Sequence, residues 1–285
     1  MIVGMSRPLE GKVAVVAGAS RGAGRGIAIS LGDAGATVYC AGRTRRGGAK
    51  PVDGAPGTVD DTAEEVNARG GRGIAVGADL TVEEQVARLF EGIERVDVLA
   101  NAVWGGNERY NPDDWGKPFW EEPLETLRQT MLPGPWAYLL ASRHAAPKMV
   151  AQGSGLIVNL TDGVLGDGTR PCFGNLAWDL PHVLTERLAV AMSHDLAPHG
   201  VAVIALMPGF MRTERVLMHL PTEEAKNAAD FHKTETVEYL GRAVAALAAD
   251  PKAIEKSGRL HWVADLAREY GVTDVDGRQP PRFMP

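Results

Sequence analysis

The stretch from residue 13 to residue 29 constrains the fold of this chain more than any other. It begins with Val13 to Val16, an apolar run typical of a buried parallel strand. Three glycines follow at once: Gly18, Gly22 and Gly24. An apolar pattern with helical spacing begins at Ile27. Glycine lets the backbone approach a phosphate, and the first N–H groups of a helix bind anions, so the stretch predicts a phosphate-binding strand, turn and helix.

The composition excludes several classes of protein. The 285 residues are 45% hydrophobic and 23% charged, which is typical of a globular chain. The formal net charge of −6 gives no electrostatic reason to expect a nucleic acid or an anionic membrane as partner. No apolar run reaches the roughly 18 residues of a spanning helix, and the first residues lack the apolar core of a signal peptide. Cys40 and Cys172 cannot form a disulfide framework and suit a reducing compartment, so we predict a cytoplasmic protein. We also predict no metal site.

Short apolar runs alternate with helical patterns along the whole chain. The predicted strands cover residues 13–16, 37–41, 73–76, 96–99, 156–160, 202–206 and 260–263. The predicted helices after the first cover residues 59–69, 81–95, 124–150 with a break at 133–135, 183–196 and 237–249. Repeated strand–helix units require a parallel sheet with right-handed crossovers. We therefore predict an α/β fold, in which residues 1–285 form one Rossmann-like, doubly wound parallel sheet of about seven strands with helices on both faces.

The spacing of the glycine turn indicates a family. Gly18, Gly22 and Gly24 form G-x-x-x-G-x-G, which resembles the turn of the short-chain dehydrogenase/reductase family. That turn usually begins with Thr, where this chain has Ala17. Two further motifs are similar in part: residues 100–103 resemble N-N-A-G, and residues 208–213 resemble P-G-x-x-x-T. The resemblance extends over about residues 9 to 265.

The resemblance implies a nicotinamide dinucleotide at the carboxyl ends of the strands. It assigns cofactor contacts to these residues: Gly18, Ser20, Arg21, Gly22, Ala23, Gly24, Arg43, Asp79, Leu80, Asn101, Ala102, Thr161, Pro208, Gly209 and Thr213. Arg43 follows the second strand, where an acidic residue would bind the ribose 2′-hydroxyl of NAD(H). No Asp or Glu occurs between Asp33 and Asp53. Because Arg43 and Arg21 could both pair with a 2′-phosphate, we predict NADP(H) as the cofactor.

The usual catalytic residues of the family are absent. Members use Asn, Ser, Tyr and Lys, with the last two in the motif Y-x-x-x-K, and none of the five tyrosines has a Lys four positions later. Counting back from residues 194–196, which resemble A-x-E-L, places Trp178 at the Tyr position and His182 at the Lys position. Counting forward from the fifth strand places Asp162 at the Ser position. The Asn position falls on Gly134, and an alternative register puts Phe173 and Ala177 at the Tyr and Lys positions.

These replacements change the chemistry that the site can perform. Trp178 donates a hydrogen bond but no proton, whereas His182 can titrate near neutral pH. A carboxylate at Asp162 would repel a developing oxyanion and favour a cation. We therefore predict an NADPH-dependent oxidoreductase with an atypical active site, acting on an imine, an iminium or another substrate that needs no tyrosine proton donor. Its predicted catalytic residues are Asp162, Trp178 and His182. Two alternatives remain open: a non-redox cyclase or isomerase on the same scaffold, and an inactive NADP(H)-binding protein.

Three further segments are candidates for substrate and partner contacts. The long aromatic loop after the fourth strand offers four side chains: Trp104, Tyr110, Trp115 and Trp120. The resemblance implies a substrate lid at about residues 210–235 and a C-terminal extension at about 265–285. It also implies a small-molecule substrate and a homodimer or homotetramer.

Overall fold

The structure, a computed structural model, describes residues 7–51, 53–106, 111–114, 116–163, 175–220, 222 and 233–283. The strands in these ranges are β1 Val13–Ala17, β2 Thr37–Gly42, β3 Arg72–Gly77, β4 Val98–Asn101, β5 Gly155–Leu160, β6 Val201–Met207 and β7 Leu260–Trp262. They form one sheet in the order β3-β2-β1-β4-β5-β6-β7, and every neighbouring pair is parallel. The carboxyl ends of all seven strands therefore lie at the same edge.

Helices cover both faces of this sheet. Within the described ranges they are α1 Gly22–Asp33, α2 Val59–Ala68, α3 Glu83–Glu91, α4 Leu124–Met131, α5 Ala137–Gln152, α6 Leu176–Leu196, α7 Glu214–His219, α8 Val237–Ala249 and α9 Val263–Glu269. One buried cluster joins the sheet to α1, α2, α8 and α9, and a second joins it to α3, α5 and α6. The predicted doubly wound parallel fold is confirmed.

The side chains of β1 explain why the strand reads as a continuous apolar run. Ala14 and Val16 belong to the first buried cluster, whereas Val15 and Ala17 belong to the second. Successive side chains of a strand point to opposite faces, and both faces of this sheet are covered. An apolar residue is therefore required at every position.

Two helix starts differ from the sequence prediction. The helix predicted from residue 81 begins at Glu83, because Asp79 Oδ1 accepts hydrogen bonds from the N–H (2.9 Å) and hydroxyl (2.7 Å) of Thr81 and holds it in a turn. The helix predicted from residue 183 begins at Leu176. Asn175 caps it by accepting a bond from the Trp178 N–H at 3.1 Å. Pro181 lies in its second turn, where the missing N–H removes only one helical bond.

The predicted break in the long helix is present. Leu132–Trp136 forms a wide turn between α4 and α5. Pro133 (φ −81°, ψ 41°) and Gly134 (φ −144°, ψ −114°) have non-helical backbones. The change of direction brings Pro133 and Tyr138 to the same cavity wall.

Candidate active site

A cavity of about 510 Å³ lies at the carboxyl edge of the sheet, within the size range of small-molecule and cofactor sites. Its wall comes from the segments that follow strands β1 to β6, as expected for a doubly wound fold. The predicted cofactor residues on that wall are Gly18, Ser20, Arg21, Gly22, Ala23, Arg43, Asp79, Leu80, Ala102, Thr161, Pro208, Gly209 and Thr213.

Gly24 and Asn101 were predicted as cofactor contacts, and the structure places both behind the wall. A Cβ on Gly24 would lie 2.1 Å from the carbonyl oxygen of Gly18, so this glycine lets α1 pack against the turn. Asn101 is fully buried, and its amide donates to Asn159 Oδ1 at 2.8 Å and to Ser142 Oγ at 3.2 Å. Neither residue lines the cavity.

The glycine turn fits the phosphates of a dinucleotide. Gly18 has φ +93°, and a Cβ there would lie 2.8 Å from the backbone of Ala102. A larger residue would push the loop after β4 away from the turn. Gly22 is the first residue of α1, and its N–H points at the cavity, where it already donates to the carboxylate of Glu214 at 2.7 Å. The turn therefore presents an anion-binding N–H at the place predicted from the sequence.

The arginines near the end of β2 have different partners. Arg45 binds Asp60, and Arg46 binds Asp61 and Glu64, all on α2. Arg43 is exposed and lies on the cavity wall.

Arg21 also lies on the wall and fixes the neighbouring loop. It donates to the carbonyls of Pro56 (3.0 Å) and Gly57 (2.8 Å) and to Thr44 Oγ1 at 3.1 Å. Its guanidinium therefore ties the loop of residues 44–58 to the glycine turn.

Asp162, Trp178 and His182 come together at the other end of the cavity. Asp162 Oδ2 accepts a hydrogen bond from Trp178 Nε1 at 2.9 Å and lies 3.2 Å from His182 Nε2. The backbone N–H of Asp162 donates to His182 Nδ1 at 3.0 Å. The three predicted residues thus form one cluster, centred on the carboxylate.

This network assigns the tautomer and charge of His182. Because Nδ1 accepts from the backbone, the proton of the neutral ring lies on Nε2, facing the carboxylate. The 3.2 Å contact is a close approach rather than an aligned hydrogen bond, since Nε2 has no hydrogen-bond partner among the described residues. Burial lowers the pKa of His182, although the charges of Asp162 and Asp179 oppose the shift. A neutral His182 leaves the cluster with the negative charge of Asp162.

The first aromatic residue of the long loop borders this cluster. Trp104 stacks on His182 with ring centroids 4.7 Å apart and meets Trp178 edge-on at 5.0 Å. Trp120 was also predicted to contact substrate, but it is 72% exposed and does not line the cavity. Trp120 lies just before Pro123, the residue that precedes α4. Tyr110 and Trp115 lie outside the described residues.

The sequence left two registers open for the Tyr and Lys positions of the family motif: Trp178 with His182, or Phe173 with Ala177. Trp178 and His182 line the cavity, whereas Ala177 is buried and does not reach it. Phe173 lies outside the described residues. The geometry therefore favours the first register.

Tyr138 and Phe283 are among the wall residues that sequence reasoning missed. Tyr138 was set aside because no Lys follows it in Y-x-x-x-K, yet it lines the cavity and is 4% exposed. The available signal in the sequence was that Tyr138 closely follows the predicted break at residues 133–135, where the chain changes direction. Burial raises the pKa of Tyr138, and the charge of Asp162 adds to the shift. Phe283 reaches the cavity from the C-terminal extension, and its ring centroid lies 5.7 Å from that of Phe210. No sequence pattern indicated this contact.

Comparison with known proteins identifies the family. The family model described as short chain dehydrogenase matches residues 12–224. The chain belongs to the short-chain dehydrogenase family. The mouse and human proteins named dehydrogenase/reductase SDR family member 1 are 36% and 35% identical to it. The alignments cover 96% and 98% of this chain and 86% and 88% of those proteins.

Solved structures agree with this assignment. A Beutenbergia cavernae protein assigned as an NAD(P)-dependent gluconate 5-dehydrogenase, with NADP bound at low occupancy, is 28% identical. It covers 91% of this chain and 97% of its own, with a TM-score of 0.71. A hydroxysteroid dehydrogenase from Escherichia coli shares the fold at 24% identity and a TM-score of 0.70, over 91% and 98% of the two chains.

The chain is an oxidoreductase of the short-chain dehydrogenase type, from a family that binds NAD(P). Among the described residues, no helix has the length and apolar character needed to cross a membrane. The same residues contain no group of three potential metal ligands.

A carboxyl group is buried directly behind the Pro208-Gly209 turn. Glu235 is 1% exposed, and neither of its oxygens has a well-aligned hydrogen-bond partner in the described part of the chain. A Cβ on Gly209 would lie 2.7 Å from Glu235 Oε2. Burial raises the pKa of Glu235 to about 8; Asp274 adds to the shift, and the Gly209 amide and Arg212 oppose it. The side chain is therefore mostly neutral at pH 7.

Glu235→Gln is expected to flatten the pH dependence of stability. The folded pKa lies above the ordinary value of 4.5, so the free energy of unfolding falls as the pH rises from about 5 to about 8. At about 1.4 kcal/mol per pKa unit, the shift from 4.5 to about 8 corresponds to a total loss of roughly 5 kcal/mol, most of it in this pH range. Urea unfolding at several pH values should show this loss in the wild type and not in E235Q. The exposed control Glu255→Gln should keep the wild-type slope, and parallel curves for E235Q and wild type would refute the assignment.

Proposed function

We propose that this chain is an NADP(H)-dependent oxidoreductase that reduces a carbon–nitrogen double bond, in an imine or iminium substrate. The observation that carries the proposal is the carboxylate of Asp162 on the cavity wall, at the position that counting from β5 assigns to the family's serine. Trp178 Nε1 donates a hydrogen bond to its Oδ2, and His182 Nε2 lies 3.2 Å from the same oxygen. Its Oδ1 accepts no hydrogen bond from the described residues, and Asp162 lines the cavity. That oxygen is available to a cationic substrate.

The charge of Asp162 favours reduction of a carbon–nitrogen double bond over reduction of a carbonyl group. Reduction of a ketone builds negative charge on oxygen, which a neighbouring carboxylate disfavours. Beside an imine nitrogen, the same carboxylate stabilises the protonated form and raises its pKa. The protonated imine is the better hydride acceptor, so Asp162 would act by keeping the substrate in its reactive state. The indole rings of Trp104 and Trp178 add a surface that suits a cation.

The residues that hold Asp162 have positioning roles in this mechanism. Trp178 fixes Oδ2 through its indole N–H, and a neutral His182 fixes the backbone of Asp162 through Nδ1. Neither needs to transfer a proton. NADPH, when bound, would supply the hydride. The turn at Gly18 to Ala23, together with Pro208, Gly209 and Thr213, would hold it.

Tyr138 supports a second candidate, the reduction of a carbonyl group. Its side chain lines the same cavity, and its hydroxyl has no hydrogen-bond partner among the described residues. It could donate a proton to a carbonyl oxygen from a different helix than the one that usually supplies the catalytic tyrosine. The raised pKa makes it a weaker acid than a tyrosine beside a lysine. We therefore rank this candidate below imine reduction.

The proposed function is tested with matched pairs of substrates. NADPH oxidation would be followed with cyclic imines and with ketones of the same ring size. We expect faster turnover of the imines. Turnover of the ketones alone would instead favour carbonyl reduction. Product formation without NADPH oxidation would indicate an isomerase or cyclase, and NADPH binding with no turnover of any substrate would indicate an inactive binding protein.

Arg43→Ala is expected to remove the preference for NADPH. A charge-assisted bond from Arg43 to the 2′-phosphate would be lost, so the Kd for NADPH should rise about 30- to 100-fold, whereas that for NADH should change little. Calorimetric titration with both nucleotides measures the two constants. Arg46→Ala is the matched control, because Arg46 binds α2 instead of lining the cavity. Equal wild-type affinities for the two nucleotides would contradict the assignment of NADP(H).

A further inference from the structure

The segment that follows the Pro208-Gly209 turn reaches across the cavity and touches the glycine turn. Glu214, the first residue of α7, accepts a hydrogen bond from the N–H of Gly22 through Oε2 at 2.7 Å. Its other oxygen lies 3.5 Å from the guanidinium of Arg25 on α1. Residues 214 and 22 are far apart in sequence, so the contact joins two separate elements of the site.

Glu214 holds a position that a cofactor phosphate needs. The N–H of Gly22 is the first at the N-terminus of α1 and has no partner within the helix, and it is part of the turn that binds phosphate in this family. One N–H cannot donate fully to a carboxylate and to a phosphate at the same time. A carboxylate and a diphosphate close together also repel each other, more strongly than they would in water.

Further contacts hold Glu214 in this place. Its neighbour Arg215 forms an ion pair with Asp53, in the loop that Arg21 ties to the glycine turn. On the other side, Thr213 Cγ2 lies 3.5 Å from the position of a Cβ on Gly22. The start of α7 is thus joined to the loop of residues 44–58 through Arg215 and to the glycine turn through Glu214.

We propose that Glu214 competes with the cofactor phosphates for the glycine turn and thereby sets the affinity and the release rate of the cofactor. When the cofactor enters, the carboxylate leaves the N–H of Gly22. When the cofactor leaves, the carboxylate returns and satisfies the exposed donor. This goes beyond the proposed function, because it concerns cofactor exchange and holds whichever double bond is reduced.

The test replaces Glu214 by Gln, which keeps the size of the side chain and removes its charge. We expect the Kd for NADPH to fall about tenfold, which corresponds to about 1.4 kcal/mol, and the dissociation rate measured by stopped-flow tryptophan fluorescence to fall with it. Inorganic pyrophosphate, titrated against the nucleotide-free protein, should bind more tightly to E214Q than to the wild type. Glu238→Gln is the matched control, since Glu238 is a carboxylate of similar exposure that is paired with Arg69 on the outer surface.

An unchanged or raised Kd in E214Q would overturn the proposal. A raised Kd would mean that Glu214 supports the binding shape of the turn instead of competing for it. Thermal unfolding of the nucleotide-free variant distinguishes a folded protein with altered binding from a damaged one, and Glu214→Ala provides a second variant if E214Q is unstable. These measurements need no substrate, so failure of the imine proposal leaves their outcome unaffected.

Discussion

Asp162→Asn is expected to lower kcat/KM for a cyclic imine about 100-fold, with little change in the Kd for NADPH. Asparagine keeps the shape of the side chain and can still accept the bond from Trp178 Nε1. It carries no charge, so it cannot raise the pKa of the imine nitrogen or pair with the cation. The loss should be largest well above the pKa of the free imine, where little of the substrate is protonated. Steady-state kinetics across the pH range measure both effects.

Two variants make this result specific. Asp195→Asn removes the same charge at an exposed site on α6, and it should leave kcat/KM unchanged. Tyr138→Phe removes the competing candidate for proton transfer, and it should cost an imine reductase much less than D162N. If Y138F abolishes turnover and D162N does not, then Tyr138 is the proton donor and the enzyme is a carbonyl reductase. If both variants keep full activity, neither residue acts on the substrate.

Features set by local sequence could be predicted with little error. The apolar strands, the glycine spacing and the break at Pro133 each depend on a few adjacent residues, and all three are present in the structure. The Asp162 cluster could also be located, because strand β5 and helix α6 fix the spacing on either side of the loop between them. The predicted start of α3 was wrong for a local reason. The Asp79 side chain accepts a hydrogen bond from the N–H of Thr81, which holds Thr81 in a turn before the helix.

Features that depend on distant segments could not be predicted. Gly24 and Asn101 belong to family motifs, yet only the packing of α1 and of β5 shows that they lie behind the cavity. Glu214 and Phe283 reach the cavity from segments far along the chain, and no periodicity links them to the glycine turn. The prediction of a homodimer or homotetramer and that of a cytoplasmic location depend on molecules outside this chain, and both stay predictions.

Gly24→Ala is expected to weaken NADPH binding more than 100-fold, a loss of about 2.7 kcal/mol or more. The added methyl group would lie 2.1 Å from the carbonyl oxygen of Gly18 and 2.8 Å from its carbon. Both atoms are backbone, so no side chain can rotate away to make room. Helix α1 must instead move from the turn, and the N–H of Gly22 then no longer points at a phosphate. Calorimetric titration of the folded variant measures the loss.

Gly26→Ala separates this effect from ordinary destabilisation. A Cβ on Gly26 would also lie 2.1 Å from a backbone oxygen, but that oxygen belongs to Val237 at the start of α8. Both variants overpack the same helix, so both should unfold at lower temperature, by an amount corresponding to about 1 to 3 kcal/mol. Only G24A displaces α1 from the glycine turn itself. Equal loss of NADPH binding in the two variants would mean that general packing of α1, rather than the close approach of Gly24 to Gly18, maintains the cofactor site.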